Sequence, residues 1–411
     1  LSLLAAIDVL PRDVVQTFVG LGELSLDGTL TPVLGALPAA MTAAEHHKGL
    51  LCPAACGAEA AWVGNTQVIA AGCLRDVVHH CSGQTPLAAA TPGEAPSCAS
   101  QKDLQEVKGQ ERGKRALEIA AAGRHHLMFV GTPGSGKTIL PPLSPREALS
   151  TSMIHSLAGL IDEGGISRHR PFREPHHTAS MVAIIGGGRH AKPGEVSLAH
   201  NGVLFMDELP EFPRAVLETL RQPLESGEVT VARANAHVKY PCKFMLVGAA
   251  NPCKCGHLND PARSCSKAPK CGEDYMGRIS GPLIDRFDMR VDIPPVAYTD
   301  LDLHDGGETS ATVAARVALA VEMQACRFQA FPEVTQNADA DGTLLEEIAT
   351  PDSEGRALLL HAAARFHLSA RGYHRVLRVA RTIADLDNSD GIRKPHVAEA
   401  LSFRLPHGIV G

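Results

Sequence analysis

Lys137 stands between a glycine and a hydroxyl side chain near the end of the run Gly131-Thr132-Pro133-Gly134-Ser135-Gly136-Lys137-Thr138. Glycines let successive backbone N–H groups converge on one set of phosphate oxygens. A lysine at this place reaches the β- and γ-phosphates, and the Thr138 hydroxyl is a ligand for Mg²⁺. The run satisfies G-x-x-x-x-G-K-[ST] at every fixed position. It also follows Leu127-Met128-Phe129-Val130, an apolar stretch that predicts a buried strand, and strand followed by glycine loop is the context the pattern requires. Nucleotide binding is therefore the first expectation.

Two carboxylates come next. Gly202-Val203-Leu204-Phe205-Met206-Asp207-Glu208 predicts a buried parallel strand with both acids at its carboxyl end, where ligands of open α/β sheets bind. Asp207 is suited to hold Mg²⁺ through water and Glu208 to polarise the attacking water. The run from Lys243 to Asn251 predicts a third strand, which delivers the Asn251 amide to position that water or read the γ-phosphate. Ser280-Gly281-Pro282-Leu283-Ile284-Asp285-Arg286-Phe287-Asp288 then supplies Arg286, a candidate to stabilise transition-state charge across a subunit interface. Taken alone, that arginine reads first as a salt-bridged surface residue.

Such side chains need an α/β scaffold. With 411 residues, the chain is long enough for two or three domains. Residues 1–88 read as small α/β structure, with a strand and turn over 22–28 and a helix from about Leu37 to His46. Residues 85–100, rich in Pro, Ala, Ser and Thr, read as a linker, assigned to 89–100. A helix is expected from Gln110 to Ala122 with Gly123 as its stop, and strands alternating with loops from there to about Pro294. After the break at Asp305-Gly306-Gly307, a helix should span Ser310 to Phe328. Pro351 to Leu405 reads as all-helical, with Leu358, Leu359, Ala362 and Phe366 at helical spacing.

Composition narrows the partners. The net charge of −6 does not announce nucleic acid, so any DNA contact must come from a local basic surface. Aromatic residues are only 4% of the chain, which argues against base stacking as the main binding mode. An odd count of 11 cysteines beside a nucleotide site points to a reducing, cytoplasmic setting. No apolar run approaches the ~20 residues of a membrane span, so no membrane partner is expected. The first residues lack a basic leader and read as the middle of a fold, so an N-terminal truncation is expected.

One local pattern contradicts itself. A phosphate loop must open a helix at Lys137-Thr138, yet Ile139-Leu140 runs straight into Pro141-Pro142, which cannot continue one. The reading favoured is that helix residues between Thr138 and Ile139 are missing from this sequence, which predicts a physical gap there.

The order of loop, Asp207-Glu208, Asn251 and Arg286 resembles the Walker A, Walker B, sensor 1 and arginine finger of AAA+ ring ATPases, in the branch shared by magnesium-chelatase motors and MCM helicases. More closely, Arg173-Glu174-Pro175-His176-His177-Thr178-Ala179-Ser180 and Ser369-Ala370-Arg371-Gly372-Tyr373-His374-Arg375 resemble the bacterial ComM (YifB) magnesium-chelatase-like family, and the likeness covers nearly all of the chain. It implies an α/β AAA+ P-loop core with a parallel sheet over 101–305, a cysteine-rich insert at 253–271 and a helical C-terminal lid over 306–411. It further implies a homo-hexamer with ATP and Mg²⁺ between subunits and each active site completed in trans. Arg371 matches the sensor 2 position, with Arg375 as the nearby alternative. Val107 and Gln110, in Val107-Lys108-Gly109-Gln110, match the segment lining the adenine pocket. Family members carry a helix between the phosphate loop and the segment seen here at 140–145, in keeping with the missing residues. Residues 1–88 resemble the Lon protease fold; Pro38 stands where that family has a catalytic lysine, so an interaction or substrate-loading platform is expected rather than proteolysis.

Residues 227–240 predict a β-hairpin. In the MCM-like branch such a hairpin carries a basic residue into the ring channel, and Arg233 and Lys239 hold those positions here; a solvated hairpin with ordinary surface charge is the alternative. Arg168-His169-Arg170-Pro171-Phe172-Arg173 is a second basic stretch. Cys253, Cys255, Cys265 and Cys271, spaced C-x-C-x₉-C-x₅-C, suit a structural Zn²⁺ or remain reduced thiols. His176 and His177 read as packing and hydrogen-bonding groups before metal ligands. The family implies an ATP-driven motor on branched or single-stranded DNA, working with recombination proteins in homologous recombination and natural transformation. The alternative is a chelatase-type motor that remodels a protein partner, although such motors usually lack both the Lon-like domain and the cysteine insert.

Overall fold

A computed structural model of the chain describes residues 1–94, 103–131, 139–161, 164–188, 191–233, 236–256, 258, 267–294, 307–331 and 333–404, with backbone alone at 232, 233 and 236. It divides into two compact units. One comprises Leu1–Ala99, Pro142–His169 and Gly188–Pro193; the other comprises Ser100–Pro141, Arg170–Gly187 and Gly194–Gly411.

The first unit is built on a three-stranded parallel sheet, with Gly49–Pro53 between Phe18–Gly20 and Val68–Ala71. Helix Ala36–Glu45 lays Ala36, Ala40 and Ala43 on Leu50, Cys52 and Val68, and its small side chains allow close approach. Pro38 falls in the first turn of that helix, where its missing N–H has no intrahelical partner to lose. Leu10, Leu51, Ile69 and Val77 form a second apolar cluster. The strand-and-loop pattern expected after 123 fails at 145–158, which is a helix. Ser144 caps it: its Oγ accepts from the Glu147 N–H at 3.3 Å while Glu147 Oε2 accepts from the Ser144 N–H at 2.9 Å. Ser144-Pro145-Arg146-Glu147 is a legible capping box, and Pro145 at the first position favours rather than breaks the helix.

In the second unit a five-stranded parallel sheet runs in the order Met289–Asp292, Leu127–Val130, Met245–Ala250, Val203–Met206, Phe172–Arg173. Leu127–Val130 and Met245–Ala250 are buried throughout, as strands covered on both faces must be. Helix Glu111–Gly123 packs Ala116, Ile119 and Ala120 into the same core as Phe129 and Val291. Gly123 is not the stop expected from sequence. It ends the helix proper, and Arg124 takes the left-handed cap at φ 57°. Gly123 is needed for space: a Cβ there would lie 2.2 Å from His125 Nε2 and 2.5 Å from Thr382 Oγ1.

Short helices also interrupt the expected strand-and-loop region at Met181–Ile185, Arg214–Thr219 and Arg221–Ser226. The first is capped by Ser180, the last ended by Gly227 at φ 66°. Helices Ser310–Arg327, Ser353–Arg365, Ala370–Leu386 and Lys394–Ser402 complete the unit, and Val376, Val379, Ala380, Ile383, Val397 and Leu401 join its core. Buried Asp385 accepts hydrogen bonds from Arg327 at 2.5 Å, Asn337 at 2.8 Å and Arg381 at 3.1 Å, so the desolvation of its charge is compensated.

Candidate nucleotide site

Strand register decides which side chains meet. Val130 pairs with Ala250, and Gly248 with Met206, so three neighbouring parallel strands end at one edge of the sheet. Their next residues are Gly131, Asn251 and Asp207-Glu208. The Gly131 N–H donates to Ala250 O at 2.7 Å, and its φ of 128° is open to glycine. A Cβ there would stand 2.4 Å from Ile293 O, so the chain leaves the strand under tight constraint. Thr132, Pro133, Gly134, Ser135, Gly136, Lys137 and Thr138 lie outside the described residues, as does the linkage from Thr138 to Ile139 where a gap is expected. The described chain resumes at buried Ile139, and its next α-helix begins at Pro145.

Asp207 is exposed at the strand end, and its Oδ1 accepts from the Glu208 N–H at 2.8 Å. Glu208 adopts φ 50°, ψ 44°, an uncommon left-handed conformation for a non-glycine residue. The Glu211 N–H, donating to Glu208 O at 2.7 Å, holds the turn. Val107 ends a short 3₁₀ turn, Leu104–Glu106. Gln110 precedes helix Glu111–Gly123 and donates through Nε2 to Pro294 O at 3.0 Å. Ile293 lies against Gly131, so Gln110 is anchored near the start of the phosphate loop.

Arg286 and Arg371 share a separate cleft of about 520 Å³ with Arg375, Glu225 and Asp288. Arg286 ion-pairs with Glu225 at 2.8 Å, whereas Arg371 is exposed. Arg371 and Arg375 stand one turn apart on helix Ala370–Leu386. Arg375 is committed to the loop that carries Arg286: it donates to Arg286 O at 2.9 Å and pairs with Asp288. Arg404 donates to Phe287 O at 2.6 Å in the same loop. Burial alone would raise the Asp288 carboxyl, but the positive Arg375 beside it and neighbouring His125 hold it well below the usual carboxylate range.

The expected hairpin is Glu228–Arg233 paired antiparallel with Ala236–Pro241, and Lys239 faces Thr230 across it. Lys239 lies 3.8 Å from Glu228 and is largely exposed. The Arg233 side chain lies outside the described residues. Cys253 is buried with its Sγ 3.1 Å from Cys255 Sγ; Cys271 lies in helix Lys270–Met276, and Cys265 is outside the described residues. Among the described residues no three His, Cys, Asp or Glu side chains form a metal-holding group. None of the described helices is long and apolar enough to cross a membrane.

Sequence reasoning missed three partners of the candidate residues, Glu225 beside Arg286, Asp288 beside Arg375 and His177 beside Glu208. The Pro-His-His run marked the third without disclosing what it would touch.

Family models for the magnesium chelatase subunit ChlI match residues 103–301, with the model of its C-terminal part matching 307–404 and a further ChlI model matching 1–56. Competence protein ComM of Haemophilus influenzae is 41% identical over 418 residues, covering 98% of this chain and 81% of its own length. The protein YifB of Escherichia coli is 40% identical over 414 residues, covering 98% and 80%. The magnesium-chelatase 38 kDa subunit of Rhodobacter capsulatus is 23% identical over 334 residues, covering 73% and 86%. With the parallel α/β core and helical C-terminal segment described above, these likenesses show that the chain belongs to the ComM/YifB family of magnesium-chelatase-like AAA+ proteins.

Proposed function

We propose that this protein hydrolyses ATP with Mg²⁺ and uses it to move along branched or single-stranded DNA, as a homo-hexameric ring that drives branch migration in homologous recombination and natural transformation. The observation that carries the reading is the convergence of Gly131, Asp207-Glu208 and Asn251 at one sheet edge. The name of the Haemophilus relative, competence protein ComM, supports the transformation setting.

The donor set at that edge fits a nucleotide with Mg²⁺: two carboxylates, a side-chain amide and the opening of a glycine loop. Asp207 and Thr138 would hold the metal, which when bound neutralises charge on the transferring phosphoryl group. Glu208 polarises the attacking water and Asn251 orients it. Lys137 with the loop backbone binds the phosphates, and Val107 and Gln110 border the base. Arg286, with Arg371 beside it, serves the site of an adjacent copy, and Arg375 holds the loop that presents it. Lys239 and Arg233 give each hairpin a basic contact to the DNA backbone; repeated around a ring, such contacts line a channel positively despite the net charge. The thiols of Cys253 and Cys255 are soft donors suited to a structural Zn²⁺ with Cys265 and Cys271.

The test is ATP hydrolysis with no DNA, linear duplex, single strand and a four-way junction. Stimulation by DNA supports the motor. Hydrolysis indifferent to every DNA would turn the reading toward a motor that remodels a protein partner.

A further inference from the structure

The segment that borders the base is fastened at its front end to a helix far along the chain. Asp103 caps the turn Leu104–Glu106, Ser310 opens helix Ser310–Arg327, and the two meet across 207 residues. The Leu104 N–H donates to Ser310 Oγ at 2.7 Å, and the Ser310 N–H donates to Asp103 Oδ1 at 3.0 Å. The same Oδ1 accepts from the Gln105 N–H at 2.9 Å, so one carboxylate oxygen caps both elements.

Each bond answers a physical need. The first N–H groups of a helix have no intrahelical acceptor, and a carboxylate there also meets the positive end of the helix dipole. Thr309 Oγ1 accepts from the Thr312 N–H at 3.3 Å, which leaves the Ser310 N–H to Asp103. Ser310 is only 2% exposed, so its hydroxyl must be paired where it sits. Buried Leu104 closes the contact among Val313, Val317 and Ile139, the first described residue after the phosphate loop.

The back end of the segment is held too. The Val107 N–H donates to Leu104 O at 3.1 Å, and Gln110 Nε2 donates to Pro294 O at 3.0 Å. Pro294 follows Ile293, which lies against Gly131. Val107 and Gln110 therefore stand between one anchor beside the phosphate loop and another on helix Ser310–Arg327.

We propose that Asp103 and Ser310 are positioning residues, a clasp that holds Val107 and Gln110 in place for the adenine base. The inference rests on the reading of Val107 and Gln110 as the border of the base. A segment released at one end occupies its binding position for only part of the time, and apparent affinity falls by that fraction. The groups that hold phosphates and water are untouched, so turnover at saturating nucleotide persists.

The experiment measures kcat and KM for ATP, and competitive inhibition by inorganic tripolyphosphate, which has phosphates but no base. The full chain is compared as wild type, Asp103→Ala, Asp103→Asn, Ser310→Ala, Asp103→Ala/Ser310→Ala and Val107→Ala/Gln110→Ala. Asp103→Ala and Ser310→Ala are each expected to raise KM about tenfold, the scale of one hydrogen bond lost from the placed segment. Their kcat and their inhibition by tripolyphosphate stay as in wild type. Asp103→Asn keeps an oxygen that accepts both N–H groups, so it retains the wild-type KM. The double clasp variant is no weaker than the worse single one, because either loss opens the same clasp. Should Ser310→Ala fail to fold, Asp103→Ala beside Asp103→Asn makes the comparison alone. A Val107→Ala/Gln110→Ala variant with the wild-type KM would defeat the underlying reading of the base border. If that variant does raise KM, three results defeat the clasp alone: an unchanged KM in Asp103→Ala, an Asp103→Asn as weak as Asp103→Ala, or an equal loss of tripolyphosphate inhibition.

Discussion

Arg286 is held by Glu225 of the same chain at 2.8 Å, with only 11% of its side chain exposed. A guanidinium offered to another subunit's phosphates must leave or share that carboxylate, and Arg375 fixes the backbone from which it does so. Arg286→Ala is expected to lower kcat about 10³-fold while nucleotide affinity persists, the scale on which arginine fingers act. Mixing Arg286→Ala with Glu208→Gln subunits gives the decisive comparison. If sites are shared between copies, some interfaces in the mixture regain both groups and hydrolysis returns. A mixture as inactive as its components would place Arg286 outside a shared site.

Lys239 is exposed on the hairpin and lies only loosely against Glu228. If it meets the DNA backbone, Lys239→Ala weakens binding about equally across sequences and lowers the salt dependence by about one released counterion per contact. Titration of labelled DNA at several salt concentrations reads both. An unchanged slope would assign the lysine to an ordinary solvated surface.

Gly123 leaves no room for a side chain between His125 and Thr382. Gly123→Ala should therefore destabilise the second unit by about 1–3 kcal/mol, the usual scale of overpacking, although alanine is the better helix former. Thermal or denaturant unfolding measures it; a variant more stable than wild type would mean that the helix end yields freely.

His126 is held down to about 4, chiefly by burial, and its Nδ1 accepts the Leu246 N–H at 3.0 Å. The unfolded chain takes up this proton near pH 6.5, so between about 6.5 and 4 it binds more protons than the folded protein. The contribution is complete above that window and is lost as pH falls through it. Asp288, itself held low, adds its loss only below the ordinary carboxylate range. His126→Asn, which keeps an acceptor but cannot titrate, should flatten the decline in Tm across the window. An unchanged decline would assign the pH dependence to other groups.

The convergence of Gly131, Asp207 and Asn251 was legible because each of these candidate residues follows a strand whose apolar run announces itself: Leu127–Val130, Val203–Met206 and Met245–Ala250. The helix at Pro145–Ala158 was missed although its capping box marks it, because the two prolines just upstream drew the reading toward loop. Glu225 beside Arg286, Asp288 beside Arg375 and His177 beside Glu208 were not legible. Those pairs depend on how strands register and helices dock, which side-chain periodicity does not encode. The role of Gly123 was hidden for the same reason, since Thr382 comes from a distant helix.

The most direct test of the motor is separation of a four-way DNA junction by the full chain with ATP, compared with Lys137→Ala. Separation by wild type and none by the variant is the predicted result. No separation by wild type, with ATP hydrolysis that ignores the junction, would contradict the account.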